Sequence, residues 1–452
     1  MRFATHCDTT DITGPFGVVR AMARLQPSAQ RPLGRRRRDG LPSLGPMGDQ
    51  GSTSVRTPPS CQELLARAEA LQPLLCEHAA AGEADRRLPD SVVIRLSEAG
   101  LFRMLTPRRL GGCETRLRTV VAVTEALGVA DGSAAWLVAL STAHAWMAGL
   151  FSERAQQDIF GADPDAVIAG RIARVAGGGD GARAEPVDGG VRISGRFAYA
   201  SGSHHAKWLL LGATAVDEVS QIADLLICLA PTSELHLEDT WHTVGLRGTG
   251  SNTWIAEDIF VPVHRLISTR AMSDGMVSAC TDEPMYRLPV MAVATLTLLG
   301  PMLGLGDAAL RLATDKALTR PLSDTIYHRK SQSVGIQVQV AEAALMLQTA
   351  RLHAFQIADE LDYCAATGQT VDYQTRARMR AQSGHVARQV IEAINLLLNV
   401  HGAESFAQTS PMQRHWRDAN IAARHAGLNT VVGFEIFGSA LLGVEDEISA
   451  IL

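Results

Sequence analysis

Met412-Gln-Arg-His-Trp-Arg-Asp-Ala-Asn-Ile-Ala-Ala-Arg-His-Ala-Gly427 is the stretch whose reading decides the fold. It carries Arg417-Asp418-Ala419 and then His425 beside Ala426. An imidazole, with an ordinary pKa of about 6.5, can give or take a proton near neutrality; a methyl group can do neither. Taken alone, His425 reads first as a core histidine satisfied by backbone, so its meaning depends on the chain around it.

Upstream of this stretch, from about residue 286, apolar residues recur at helical spacing. Val340, Ala344 and Leu347 share one stripe, and Ile391, Ile394 and Leu398 another. Four long helical segments fit between residues 286 and 445, which predicts an antiparallel bundle over 280–452. Between 166 and 272 the period drops to two. In Val191-Arg-Ile-Ser-Gly-Arg-Phe-Ala-Tyr-Ala-Ser201 the residues Val191, Ile193, Phe197, Tyr199 and Ser201 fall on one strand face. Runs at Trp208–Leu211, Leu225–Leu229 and Trp254–Val261 read as further strands of a central β-barrel or sandwich. From Cys61 to about 165 the pattern is helical again, with Leu64, Leu65, Ala68, Leu71, Leu74 and Leu75 on one face. The expected class is therefore α+β in several units, ordered helical, β, helical.

Residues 1–60 differ: they are rich in Pro, Gly, Ser and Arg and hold Arg35-Arg-Arg-Arg38. This predicts a disordered, solvated tail, with Met47 an equally good start. With 46% hydrophobic and 20% charged residues, the rest has ample core. The net charge of -5 gives no reason to expect nucleic acid. Seven cysteines without a CxxC pair suit free thiols in a reducing cytoplasm. No apolar run reaches the roughly 18 residues of a membrane span.

Four stretches carry a resemblance: Leu96-Ser-Glu-Ala-Gly-Leu-Phe-Arg-Met-Leu-Thr-Pro-Arg-Arg-Leu-Gly-Gly112, Ala130-Asp-Gly-Ser-Ala-Ala-Trp136, Ser194-Gly-Arg with Ala200-Ser-Gly202, and Gly245-Leu-Arg-Gly-Thr-Gly-Ser251. Over roughly residues 61–452 the chain resembles the acyl-CoA dehydrogenase fold, and within it the oxygenase components of two-component flavin monooxygenases. That implies an N-terminal helical domain, a central β domain and a C-terminal four-helix bundle. Acyl-CoA dehydrogenases that keep their base on the last core helix carry Glu-Gly there; an ungapped match of Arg417-Asp418-Ala419 puts Ala426 in place of that Glu.

The resemblance implies an enzyme that takes reduced flavin (FMNH2 or FADH2) from a separate NAD(P)H:flavin reductase. It would form a C4a-(hydro)peroxide with O2 and oxygenate an aromatic small molecule as a homotetramer. His425 would assist at flavin C4a, and Ser201 would meet N5, with Tyr199 and Gly202 beside it. Arg247, Thr249 and Ser251 would lie near the flavin phosphates or the substrate channel, in a glycine-rich loop that is neither a Walker A nor a Rossmann turn. His144 and Trp146 would approach the substrate. Arg171 stands where phenol hydroxylases often carry Ser, so either an anionic substrate or a salt bridge closing the pocket would suit it. His401 and His415 are weaker candidates, and His204-His205 reads as a surface pair rather than a metal site. Two rivals stay open: a dehydrogenase or oxidase with its base elsewhere, and a catalytically silent binding subunit.

Overall fold

The structure, a computed structural model, describes residues 58–172, 182–216, 223–269, 283–444 and 448. The tail with Arg35–Arg38 and Met47 lies outside the described residues. The N-terminal unit is helical: α1 (Cys61–Asp85), α2 (Asp90–Glu98), α3 (Leu117–Ala130), α4 (Gly132–Ala148) and α5 (Glu153–Phe160). Ser60 and Glu63 close a capping box on α1. Between α3 and α4, Asp131 turns extended and accepts from the N–H groups of Ser133 and Ala134, ending one helix and capping the next. Helix α4 is buried almost all round, so it runs through the interior rather than along a surface.

Among the described residues eight strands come next: β1 (Ile168–Arg171), β2 (Arg183–Val187), β3 (Gly190–Ala200), β4 (Trp208–Val216), β5 (Ala223–Pro231), β6 (His236–Glu238), β7 (Asn252–Pro262) and β8 (Leu266–Ser268). They form one mixed sheet in the order β6-β7-β3-β2-β4-β5-β8, with β1 pairing β4 in parallel. Leu209, Leu211, Leu226 and Cys228 pack into the sheet's own core, while Leu210, Ile227 and Leu229 join the helical core. Both faces of β4 and β5 are thus covered, which is why their sequences are continuous apolar runs rather than alternating ones.

The C-terminal unit holds α6 (Val290–Thr297), α7 (Leu299–Thr319), α8 (Val334–Thr367), α9 (Tyr373–His401), α10 (Pro411–Ala422) and α11 (Thr430–Leu442). Only α7, α8 and α9 are long; Gly402, in a backbone conformation open to glycine, and Pro411 divide the remainder of the unit into shorter helices. Val290–Thr319 is apolar enough on average to cross a membrane, although the sequence suggested no such run. Of its most apolar window, 78% is buried inside the protein, as befits a core helix.

Period two fails in β3. The β3–β7 register slips between Ile193 and Gly195 and again between Phe197 and Ala200. Tyr199 adopts a left-handed φ of 66° and is 64% exposed, whereas Ser201 is buried. The two side chains do not share a face, contrary to the alternation expected from sequence.

Candidate active site

The site is built around α4 and β1. Ser141 and His144, one turn apart on α4, grip Ile168 from both sides: Ser141 Oγ accepts from its N–H (3.2 Å), and His144 Nδ1 donates to its carbonyl (2.9 Å). That bond puts the His144 proton on Nδ1 and leaves Nε2 a lone pair. A Cβ on Gly170 would sit 3.1 Å from His144 Nε2, so glycine at that point lets β1 pass close to the ring. Burial pulls the His144 pKa down to about 4, and the ring is neutral at pH 7.

Ser201 comes to the site through strand pairing. Ala200 pairs Asn252 across β3 and β7, which sets Ser201 beside Ser251. Their hydroxyls are 2.8 Å apart, and Ser251 Oγ is 2.7 Å from Thr249 Oγ1. Thr249 Oγ1 also lies 2.7 Å from the Leu246 carbonyl. A carbonyl cannot donate, so the single Thr249 proton points there. Ser251 must then donate to Thr249, and Ser201 to Ser251. The chain of hydroxyls is poled, and Ser201 is left able only to accept from a further partner. Next to it, a Cβ on Gly202 (φ 85°) would collide with Leu137 of α4, which seats this turn directly on that helix.

His425 lies just past α10, in the turn that opens a short 3-10 segment, Ala426–Leu428, and not on the helix itself. Its Nδ1 accepts from the Gly427 N–H at 3.1 Å, which places the neutral ring's proton on Nε2. The Trp136 ring of α4 stands edge-on to it, centroids 5.7 Å apart. The residue is exposed at the surface, yet desolvation by the protein around its ring, followed by Arg171, His144 and Arg380, lowers its pKa to about 4. Together these describe an imidazole lining a recess walled by protein. Arg380 of α9 fixes the turn, donating to the carbonyls of Ala426 (2.5 Å) and Gly427 (2.6 Å). His144 and His425 therefore carry opposite tautomers within electrostatic reach of each other, one offering a lone pair and the other an N–H.

Contacts link these groups into one place: Trp136 to His425, Leu137 to Gly202, and Arg171 to Tyr199, whose ring centre is 5.7 Å from the guanidinium. Arg171 makes no salt bridge among the described residues, so the closed-pocket use of it is not seen. Other expected contacts fall elsewhere. Trp146 is fully buried, donates to the Met285 carbonyl (3.0 Å) and stacks on Tyr286, so it packs within the core. Arg247 donates to the carbonyls of Glu83 and Thr243, stapling the glycine-rich turn to α1. The glycines of that turn serve close packing: a Cβ on Gly245 would strike the Arg417 carbonyl, and the Leu246 N–H donates to Asp418 (2.6 Å). Burial lifts Asp418 to about 7.

His205 is not a surface residue. It packs against the Leu88 carbonyl, and it and His204 sit in a turn, not on a strand. Among the described residues no cluster of ligands could hold a metal. His401 pairs with Ser405 and Lys316 at the end of α9; His415 is buried, with its Nδ1 unpartnered. Trp136 and Arg380 were not singled out by sequence, since a buried helix and a residue distant in the chain give no local signal.

The fold and this site define a class. Residues 65–160 match the acyl-CoA dehydrogenase N-terminal domain, and residues 296–430 its C-terminal domain. The oxygenase subunit HsaA, a flavin-dependent monooxygenase of Rhodococcus jostii (strain RHA1), is 31% identical over 84% of this chain and 98% of its own. The oxygenase component of an FADH(2)-dependent resorcinol hydroxylase from Rhizobium sp. (strain MTP-10005) is 31% identical over 84% and 94%. XiaF from Streptomyces sp., solved in complex with FADH2 and glycerol, superposes with a TM-score of 0.80 at 34% identity, covering 87% of this chain and 98% of that one. The chain thus belongs to the oxygenase components of flavin-dependent monooxygenases with the acyl-CoA dehydrogenase fold, and it is an oxidoreductase.

Proposed function

We propose that this enzyme hydroxylates an aromatic small molecule with O2 and reduced flavin, taken as FADH2 and delivered by a separate NAD(P)H:flavin reductase. The observation that carries the reading is the poled chain Thr249–Ser251–Ser201. It leaves Ser201 an acceptor, which fits the N5–H of reduced flavin and not the bare N5 of the oxidised form. Bound reduced flavin would activate O2 and supply the oxygen atom.

The chain's own residues do the rest. Ser201 holds the N5 proton in place. His425 Nε2–H donates to oxygen at the reacting face, and the His144 Nε2 lone pair accepts the substrate's hydroxyl proton. Trp136 walls the recess against water.

Among the described residues the titratable groups that act on His425 are Arg171, His144 and Arg380, none of them a carboxylate. Asp131 and Asp418 accept from backbone N–H groups. That disfavours a dehydrogenase base, and the accessible surface of His425 disfavours a silent, occluded site. Val338, Leu345 and Leu352 form an exposed stripe at heptad spacing on α8, which supports the homotetramer. The free thiols of Cys61, Cys76, Cys113, Cys228 and Cys364 favour the reducing cytoplasm.

The test is to mix the enzyme anaerobically with FADH2, add oxygenated buffer, and follow the appearance of oxidised flavin. A delay far beyond that of free FADH2, with label from 18O2 entering an aromatic product, is expected. Re-oxidation at the rate of free flavin, with oxidised flavin bound as tightly as reduced, removes the reading.

A further inference from the structure

Arg171 ends β1, with its backbone held beside Leu211 of β4. The side chain is half-buried, lies over the Tyr199 ring, and is near enough for its charge to act on His425. Most other half-buried arginines are matched, Arg414 being another exception among the described residues. Arg103 faces Asp165, Arg351 faces Glu125 and Asp307, and Arg417 faces Glu83. Arg247 and Arg380 commit their N–H groups to backbone carbonyls. Arg171 has neither kind of partner among the described residues.

A ring face compensates a desolvated cation far less than a carboxylate does. A half-buried charge without a counter-ion is costly to keep, and a site gains from it only when a ligand brings the anion. The neighbouring groups say where that ligand stands: the guanidinium lies over Tyr199, two residues before Ser201, and its charge reaches His425. It therefore stands beside the turn that carries Ser201 and within electrostatic reach of the candidate imidazole.

We propose that Arg171 binds a carboxylate on the substrate, so that the enzyme acts on aromatic acids in preference to neutral phenols. The proposal rests on the monooxygenase reading above. A bidentate fork from guanidinium to carboxylate would fix the ring's orientation as well as its charge.

The test needs no turnover. Binding of matched pairs, each a hydroxylated aromatic acid and its carboxamide, is measured by calorimetry on the enzyme with oxidised flavin. The pairs are built on benzoic, phenylacetic, naphthoic and indole-acetic frames. In at least one pair the acid should bind about 10- to 100-fold tighter than the amide, the range of a charge-assisted hydrogen bond. Arg171→Gln should erase that preference while leaving amide affinity and melting temperature near wild type, and Arg171→Lys should keep part of it.

Equal binding of acid and amide in every pair, or no binding of any acid, overturns the proposal. So does an Arg171→Gln variant that loses FADH2 affinity but keeps the acid preference, because the arginine would then be serving the flavin. The oxygen-mixing experiment is scored separately: normal FADH2 re-oxidation delay with no acid preference sinks only the role of Arg171, and a missing delay sinks the monooxygenase reading whatever the acids do.

Discussion

Thr249→Val tests the poled hydroxyl chain with little change of shape. Val keeps the branched side chain but removes the atom that receives the Ser251 proton and sends its own to Leu246. Ser251 and Ser201 then remain, 2.8 Å apart, with nothing to set their direction. Ser201 can turn and donate. Reduced flavin loses nothing, since Ser201 can still accept from N5–H. Oxidised flavin gains a hydrogen bond that the native chain denies it. One such bond is worth about 0.5–1.5 kcal/mol net, so oxidised FAD should bind about 2- to 12-fold tighter while FADH2 affinity holds.

Linkage turns that ratio into a potential. The two-electron midpoint of bound flavin should fall by about 10–30 mV. Anaerobic titration of both redox forms, with a spectroelectrochemical midpoint for wild type and variant, measures all three quantities. Ser201→Ala serves as the control, since it removes the group that meets N5 and should weaken the reduced form. If oxidised FAD binds Thr249→Val no better than wild type, or if both forms weaken together, the direction assigned to the hydroxyls is wrong.

The histidines give a pH prediction. His144 and His425 sit near 4 in the folded protein against an ordinary 6.5. Between those values the unfolded chain binds protons that the folded one does not. Stability should therefore fall as pH drops from about 6.5 to about 4 and be untouched by these rings above that window. Denaturant titrations across the range should show the slope, and His144→Gln should flatten it. Arg380→Met should leave the carbonyls of Ala426 and Gly427 without their donor, costing about 1–3 kcal/mol and loosening the turn under His425. A lower melting temperature with more H2O2 released per product would be seen, and unchanged coupling would count against that role. Trp146→Phe should lower stability by about 1–2 kcal/mol through the lost bond to Met285 without changing substrate affinity; a large change in affinity would return Trp146 to the site.

The order of helical and β units was legible because long periodic segments and turn residues advertise themselves locally. Ser201 and His425 were legible as candidates because the motifs around them resemble a family. The inferences that failed were those that carried a local rule across a distortion. Alternation assigned Tyr199 and Ser201 to one face, but a bulge and a left-handed residue intervene between Phe197 and Ala200. The resemblance put Trp146 near the substrate, whereas the structure sets it against Met285 and Tyr286; a helix apolar on every side gives no local clue to which face meets the recess.

The poled hydroxyls show the same limit from the other direction. Thr249 and Ser251 are two residues apart and could be suspected together, but their meaning depends on Ser201, which only the pairing of Ala200 with Asn252 brings alongside. Arg380 is equally silent in sequence, since it acts by holding two carbonyls in a turn on another element. Arg171 lies between these cases. Its departure from the family pattern was visible in the chain and left two uses open. With no carboxylate against it among the described residues, the ligand use is favoured over the salt bridge, a choice that only the surroundings of Arg171, and not its position in the sequence, could inform.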